Sequence, residues 1–164
     1  MLRLCFVCLG NICRSPIAEG VMRHLVRAAA LDDQLQLDSA GTAGYHSGEL
    51  PDRRARAAGK RFGIEVSGRA RQFLADDFAI FDYVLAMDQS NLEALMKLAP
   101  DPAAQKKIHL FRTFDHASPK GASVPDPYYG TDADFDEVVR QSLTAAEGLL
   151  ERLRRDHRLV ASGA

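Results

Sequence analysis

No cysteine follows position 13 in this chain of 164 residues, and the three present, Cys5, Cys8 and Cys13, crowd its first segment. So few thiols, so clustered, exclude a secreted disulfide scaffold. A zinc site also lacks a second ligand pair at suitable spacing. Cys5-Phe6-Val7-Cys8 spells C-x-x-C, yet in an extended segment those two side chains point to opposite faces. Cys5 is therefore read as a small buried apolar residue. An excess of charge is lacking too: 21 Lys and Arg face 22 Asp and Glu, for a net charge of −1. Neither nucleic acid nor an anionic membrane is expected as a partner, and any anion recognition has to be local. No apolar run approaches membrane-spanning length; Leu4 to Leu9 is typical. The basic-then-apolar pattern of a signal peptide is missing, so a cytoplasmic protein is expected, with signal-independent export left open. No repeat or low-complexity tract divides the chain. The expectation is one domain over 1–160 and a frayed tail over 161–164.

Strand and helix patterns alternate along that domain. Leu2 to Val7 is a continuous apolar run, the pattern of a strand buried on both faces. Ser15-Pro16 opens a helix with an apolar stripe of Ile17, Val21, Leu25 and Ala28. Leu35 to Ala40 predicts a second strand, Asp82 to Met87 a third and Lys107 to Phe111 a fourth. Asp52 to Phe62 reads as a helix whose Arg53, Arg54, Arg56, Lys60 and Arg61 form a solvated face rather than a docking patch. Asp88 caps a helix carrying Leu92, Leu95, Met96 and Ala99. Pro119 to Tyr129 is a loop, and Phe135 to Leu153 a closing helix. This alternation predicts an α/β fold with a parallel sheet covered on both faces. Ligands of such sheets bind at the carboxyl ends of strands, where Cys8, Ser39, Gly41 and Asp88 fall.

The segment Cys8-Leu9-Gly10-Asn11-Ile12-Cys13-Arg14-Ser15-Pro16 carries the chemistry. A thiol ends the first strand, and an arginine follows six positions later where a helix begins. Gly10 and Asn11 between them let the backbone curl, so that peptide N–H groups and the positive end of the helix converge on one spot. An anion held there lies over the sulfur, the arrangement needed for thiolate attack on phosphate. A free cysteine has a pKa near 8.5, and beside arginine at a helix N-terminus it falls to about 3.5–7.5. Cys8 is thus the candidate nucleophile, and Arg14 supplies a planar fork for two phosphate oxygens. Ser15 can donate its hydroxyl to the sulfur, and Asn11 tolerates the left-handed conformation a tight nest requires. Expelling an alkoxide or phenoxide needs a proton donor. Asp126, between Pro125 and Pro127 and followed by Tyr128 and Tyr129, is the candidate, because adjacent aromatic surface favours the protonated carboxyl. Asp88 and Asp115 are read instead as a helix cap and a turn residue.

These residues resemble those of the low-molecular-weight protein tyrosine phosphatases. Phe6 to Glu19 matches the family's entry motif. Asp38-Ser39-Ala40-Gly41-Thr42, Ala70-Arg71-Gln72, Phe81-Asp82-Tyr83-Val84, Met87 to Leu92 and Asp126-Pro127-Tyr128-Tyr129-Gly130 follow in the family's order. The resemblance implies a four-stranded parallel twisted sheet with helices on both faces and a phosphate-binding loop after the first strand. It implies hydrolysis of phosphotyrosine through a phosphocysteine, with no metal or cofactor. By position, Cys8 is the nucleophile, Arg14 the clamp and Asp126 the acid and then the base. Leu9, Gly10, Asn11, Ile12, Cys13, Arg14 and Ser15 form the phosphate cradle, braced by Asn11, Ser15 and Ser39. Tyr45, Tyr128 and Tyr129 line the slot for the substrate ring, and the tyrosine pair is itself a candidate for phosphorylation. Cys13 matches a second cysteine that pairs reversibly with the nucleophile on oxidation. The implied partners are phosphotyrosine-containing proteins, with a tyrosine kinase among the candidates.

Two departures stand out. Members carry a histidine just before Ala-Arg-Gln that supports the loop, where this chain has Ser67-Gly68-Arg69. Tyr45 stands where some members have tryptophan, which is expected to widen the slot. Three other readings fit parts of the pattern. Thiol-linked arsenate reductases share the loop but need cysteines far downstream. Protein-arginine phosphatases carry threonine where this loop has Ile12. A phosphotyrosine-binding module with a dead site would lack the cysteine or the acid.

Overall fold

The computed structural model describes residues 1–163. The apolar run at the start becomes strand β1, Leu2–Cys8. Its side chains alternate between two cores: Leu4, Phe6 and Cys8 enter one, Cys5 and Val7 the other. Burial on both faces explains why the run is continuous rather than alternating. It also separates the two cysteines of the C-x-x-C.

β1 lies between β2 (Leu35–Gly41) and β3 (Tyr83–Ala86), and β4 (Ile108–Leu110) completes the sheet in the order β2-β1-β3-β4. Every pairing is parallel. The order reverses direction at β1, so the chain leaves its carboxyl end beside a natural crevice. Cys8, Gly41 and Asp88 stand at or just beyond strand ends there, as the sequence predicts, whereas Ser39 falls two residues inside β2, which runs on to Gly41.

Helices α1 (Arg14–Ala28), α2 (Arg53–Arg61) and the 26-residue helix after residue 131 cover one face, and α3 (Gln89–Leu98) covers the other. Pro16 sits in the first turn of α1, where its missing N–H would have had no acceptor. The stripe on α1 differs from expectation at its end: Ala28 is exposed, and Met22 and Val26 are buried beside Ile17 and Val21. The chain turns back there, with the Leu31 N–H donating to the Val26 carbonyl. On the second face Leu95 of α3 meets Phe73, Phe78 and Phe81, which flank or belong to a 3-10 turn over Ala75–Ala79.

That turn, a second over Phe111–Phe114, and the four-residue helix α4 (Pro102–Gln105) were not legible, being too short to show a period. The closing helix, α5 (Asp132–His157), runs longer at both ends than its apolar stripe. The tail expected to fray is tied at Ser162, whose N–H donates to the Ala30 carbonyl at 2.8 Å. Gln34 Nε2 donates to the Val160 carbonyl at 2.7 Å. Ala164, the last residue of that tail, lies outside the described residues. No helix among them is long and apolar enough to cross a membrane.

Candidate active site

The turn from β1 into α1 wraps around the Cys8 sulfur. Asn11 takes a left-handed conformation, φ 58°, as the curl requires. Gly41, on the neighbouring strand end, leaves room for it: a Cβ there would meet the Leu9 carbonyl oxygen at 2.6 Å. Among the described residues, the N–H groups of Leu9 through Ser15 donate to no backbone or side-chain acceptor. So many unpartnered amides in one turn are rare, and here they belong to a loop that opens a helix. They form a nest for an anion.

Side chains fix the nest from behind. Asn11 Oδ1 accepts from the Arg71 N–H at 3.0 Å, which orients the amide. Its Nδ2 then donates to Ser15 Oγ at 2.8 Å and to Ser39 Oγ at 3.0 Å. Ser15 Oγ lies 3.0 Å from Cys8 Sγ and 3.4 Å from the Ala40 carbonyl, so its proton is within reach of both, and a thiolate at Cys8, which can only accept, would draw it. Cys8, a residue only 3% exposed, thus has a hydroxyl within hydrogen-bond reach of its sulfur.

Arg14 is buried as well. Nη1 contacts Asp88 Oδ2 at 2.6 Å and donates to the Val124 carbonyl at 3.1 Å, while Nη2 lies 3.8 Å from Asp126 Oδ2. Burial alone would lower the guanidinium pKa. Cys8, Asp88 and Asp126 around it outweigh that and hold it above its ordinary value. Asp126 is half exposed at the mouth, and its Oδ1 accepts from the Tyr128 N–H at 3.1 Å.

These groups open on a cleft of about 290 Å³, lined by Cys8, Leu9, Gly10, Ile12, Cys13 and Arg14 below and by Tyr45, His46, Asp126, Tyr128 and Tyr129 above. Tyr128 and Tyr129 meet edge to face, with centroids 5.0 Å apart. Burial, then the nearby Asp52 carboxylate, pushes the Cys13 thiol far above its ordinary pKa. Of the two cysteines in the cleft, Cys13 is therefore no rival nucleophile.

Residues 3–159 match the family model for low molecular weight phosphotyrosine protein phosphatase. The chain belongs to that family. The human low molecular weight phosphotyrosine protein phosphatase is 45% identical over 148 residues, 90% of this chain and 92% of that protein. The low molecular weight protein-tyrosine-phosphatase of Streptomyces coelicolor is 44% identical over 153 residues, 93% of each. Among solved structures, a protein tyrosine phosphatase from Entamoeba histolytica with Hepes in its active site superposes with a TM-score of 0.92. It is 38% identical and covers 96% of this chain and 99% of that one.

For this family member, the structure brings the sequence-predicted residues into one place. Cys8, Leu9, Gly10, Ile12, Cys13, Arg14, Tyr45, Asp126, Tyr128 and Tyr129 share the cleft, with Asn11, Ser15 and Ser39 directly behind it. Asp88 does cap α3, accepting from the Asn91 N–H at 2.7 Å, but it also holds Arg14. Asp115 sits in a turn, accepting from the Ala117 N–H.

Six participants were missed: His46 on the cleft wall, Arg71 with its carboxylates Asp38 and Asp77, and the pair Asp52 and Arg54. The solvated basic face holds for Arg53, Arg56 and Lys60 but not for Arg54, which is half-buried against Tyr128 and Phe135. The only available signal was its place two residues after a capping aspartate. The absent histidine is not replaced from its own position: Arg69 is exposed and donates to the Gly48 carbonyl. Among the described residues no three His, Cys, Asp or Glu side chains gather as a metal site.

Proposed function

We propose that this protein hydrolyses phosphotyrosine in proteins through a phosphocysteine intermediate. One observation carries the reading: the seven amides of Leu9 to Ser15, free of protein acceptors, lie in the loop that begins at Cys8 and contains Arg14, and Cys8, Arg14 and Asp126 line one cleft. The sulfur of Cys8 attacks phosphorus while the amides and Arg14 hold the three equatorial oxygens, whose charge they match in the transition state. Asp126 gives its proton to the departing phenolate oxygen. It then takes a proton from the water that attacks the phosphocysteine, releasing phosphate and regenerating the thiolate. The Ser15 hydroxyl stabilises the sulfur as it leaves. Asp88 and the Val124 carbonyl hold Arg14 aimed at the cradle throughout.

Tyrosine is favoured because the cleft that holds Cys8 also carries Tyr45, Tyr128 and Tyr129, aromatic surface that a substrate ring can pack against and a phosphoserine side chain cannot use. Ile12 and the tyrosine pair favour phosphotyrosine over phosphoarginine. The absence of any cysteine after Cys13 removes the thiol relay of an arsenate reductase. Under oxidation, a Cys8 sulfenic acid would condense with the protonated Cys13 thiol, forming the S–S bond and releasing water. The partners that follow are phosphotyrosine proteins, a tyrosine kinase among them.

The test is turnover of matched phosphotyrosine, phosphoserine and phosphoarginine peptides with Cys8→Ser as control. Phosphotyrosine should be preferred, and Cys8→Ser should lose turnover while still binding vanadate. Equal rates on all three peptides, or turnover surviving Cys8→Ser, would overturn the reading.

A further inference from the structure

The first turn of α2 touches both loops of the site. The Asp52 N–H donates to the Ile12 carbonyl at 2.8 Å, inside the phosphate loop. Two residues later, Arg54 Nη1 donates to the Tyr128 carbonyl at 2.9 Å, inside the loop that carries Asp126. The guanidinium also lies over the Tyr128 ring, 5.4 Å from its centroid, and over the Phe135 ring of α5 at 4.6 Å. Its remaining edge is taken by Asp52, with Nε to Oδ1 at 3.1 Å and Nη2 to Oδ2 at 3.0 Å. One planar group thus joins α2, α5 and the acid loop.

The acid loop needs such a tie. Pro125 and Pro127 flank Asp126 and have no N–H with which to anchor the backbone. The Asp126 carboxylate is held by the Tyr128 N–H on one oxygen and lies 3.8 Å from Arg14 on the other. The same peptide residue, Tyr128, therefore steadies Asp126 through its N–H and is itself gripped by Arg54 through its carbonyl.

We propose that Arg54 is a positioning residue. It holds the acid loop against the phosphate loop and so sets where Asp126 delivers its proton. This rests on the reading of Asp126 as general acid. Lysine cannot replace it, because a point charge cannot hold Asp52 by a fork and the Tyr128 carbonyl at once.

The experiment measures kcat/KM of wild type, Arg54→Lys, Arg54→Gln and Asp126→Asn on aryl phosphates of graded leaving-group pKa. A misplaced acid matters only where the leaving group needs a proton. Both Arg54 variants should stay within about threefold of wild type on 4-nitrophenyl phosphate and lose about ten- to hundredfold on phenyl phosphate. In the Asp126→Asn background, Arg54→Lys should cause no further loss on phenyl phosphate, since the group it positions is gone.

A uniform loss across the series, no loss at all, or full additivity with Asp126→Asn would overturn the proposal. If Asp126→Asn steepens the leaving-group dependence and the Arg54 variants do not, the proposal alone fails. If Asp126→Asn leaves that dependence unchanged, the acid assignment fails and takes the proposal with it.

Discussion

Asn11 carries three hydrogen bonds and a left-handed backbone at once, so replacing it separates the mechanical support of the loop from its chemistry. Asn11→Ala removes the donors to Ser15 and Ser39 and the acceptor of the Arg71 N–H. A partly buried N–H left without an acceptor costs about 1–3 kcal/mol, and the two hydroxyl bonds contribute about 0.5–1.5 kcal/mol each. Alanine at φ 58° adds about 1 kcal/mol of strain. The sum is about 3–7 kcal/mol, a large share of a typical 5–15 kcal/mol stability. Urea unfolding should register it as a midpoint lowered by about 1.5–3.5 M, taking a slope of about 2 kcal/mol/M. Asn11→Gly loses the same bonds without the left-handed strain and should fall by about 1 kcal/mol less.

Asn11→Asp tests the chemistry. It keeps the acceptor for Arg71 but turns a donor into an acceptor, so Ser15 donates to the new carboxylate and no longer to Cys8. Losing one hydrogen bond to a charged group costs about 1.5–3 kcal/mol, or about ten- to hundredfold in kcat at 1.36 kcal/mol per decade. Steady-state hydrolysis of 4-nitrophenyl phosphate reads this directly. If Asn11→Ala unfolds within 1 kcal/mol of wild type, or Asn11→Asp turns over normally, the bracing network does not do what its geometry says.

Two other outcomes follow from packing and charge. Gly148→Ala should destabilise by about 1–3 kcal/mol despite better helix propensity, because the new Cβ would sit 1.8 Å from the Phe114 carbonyl oxygen; thermal denaturation reads it, and a gain in Tm would refute it. Arg54 holds the Asp52 carboxyl below its ordinary pKa, so the native state favours the charged form. That stabilisation is complete above the unfolded value of about 3.9 and fades as pH falls through the lower native value. Asp52→Asn keeps a capping side chain but removes the charge and one of the two oxygens that Arg54 grips. Its stability deficit in urea should therefore be full near pH 6 and close below about pH 4; a deficit constant with pH would deny the linkage.

Much of this was legible because the informative residues are consecutive. Cys8 to Pro16 states strand end, curl and helix start in nine letters, and the physics of unpaired N–H groups does the rest. Strands β1 and β3 showed as apolar runs, and α5 as a long 3.6 period. Asp126 was found through its two prolines. What stayed hidden depends on side chains meeting across long separations. Nothing local to Asp88 says that it holds Arg14, 74 residues away, and nothing in a basic helix singles out the arginine that reaches Tyr128. The acidic partners of Arg71 are equally scattered, at positions 38 and 77.

Those scattered partners answer the question raised by the missing histidine. The loop is steadied through Arg71, whose backbone and side chain do different jobs. Its guanidinium is fixed by Asp38 and Asp77, each at 3.1 Å, and its carbonyl accepts the Gly41 N–H at 2.8 Å. That leaves its N–H aimed at Asn11. The chain of contacts then runs from Asp77 in the 3-10 turn through Arg71, Asn11 and Ser15 to the sulfur of Cys8. Asp38 closes the circuit by accepting from the N–H of Ser39, which Asn11 also bonds. A backbone N–H held from three sides can orient the Asn11 amide as firmly as an imidazole could, and it has no proton to lose in the working pH range. The brace on the nucleophile is therefore independent of histidine titration.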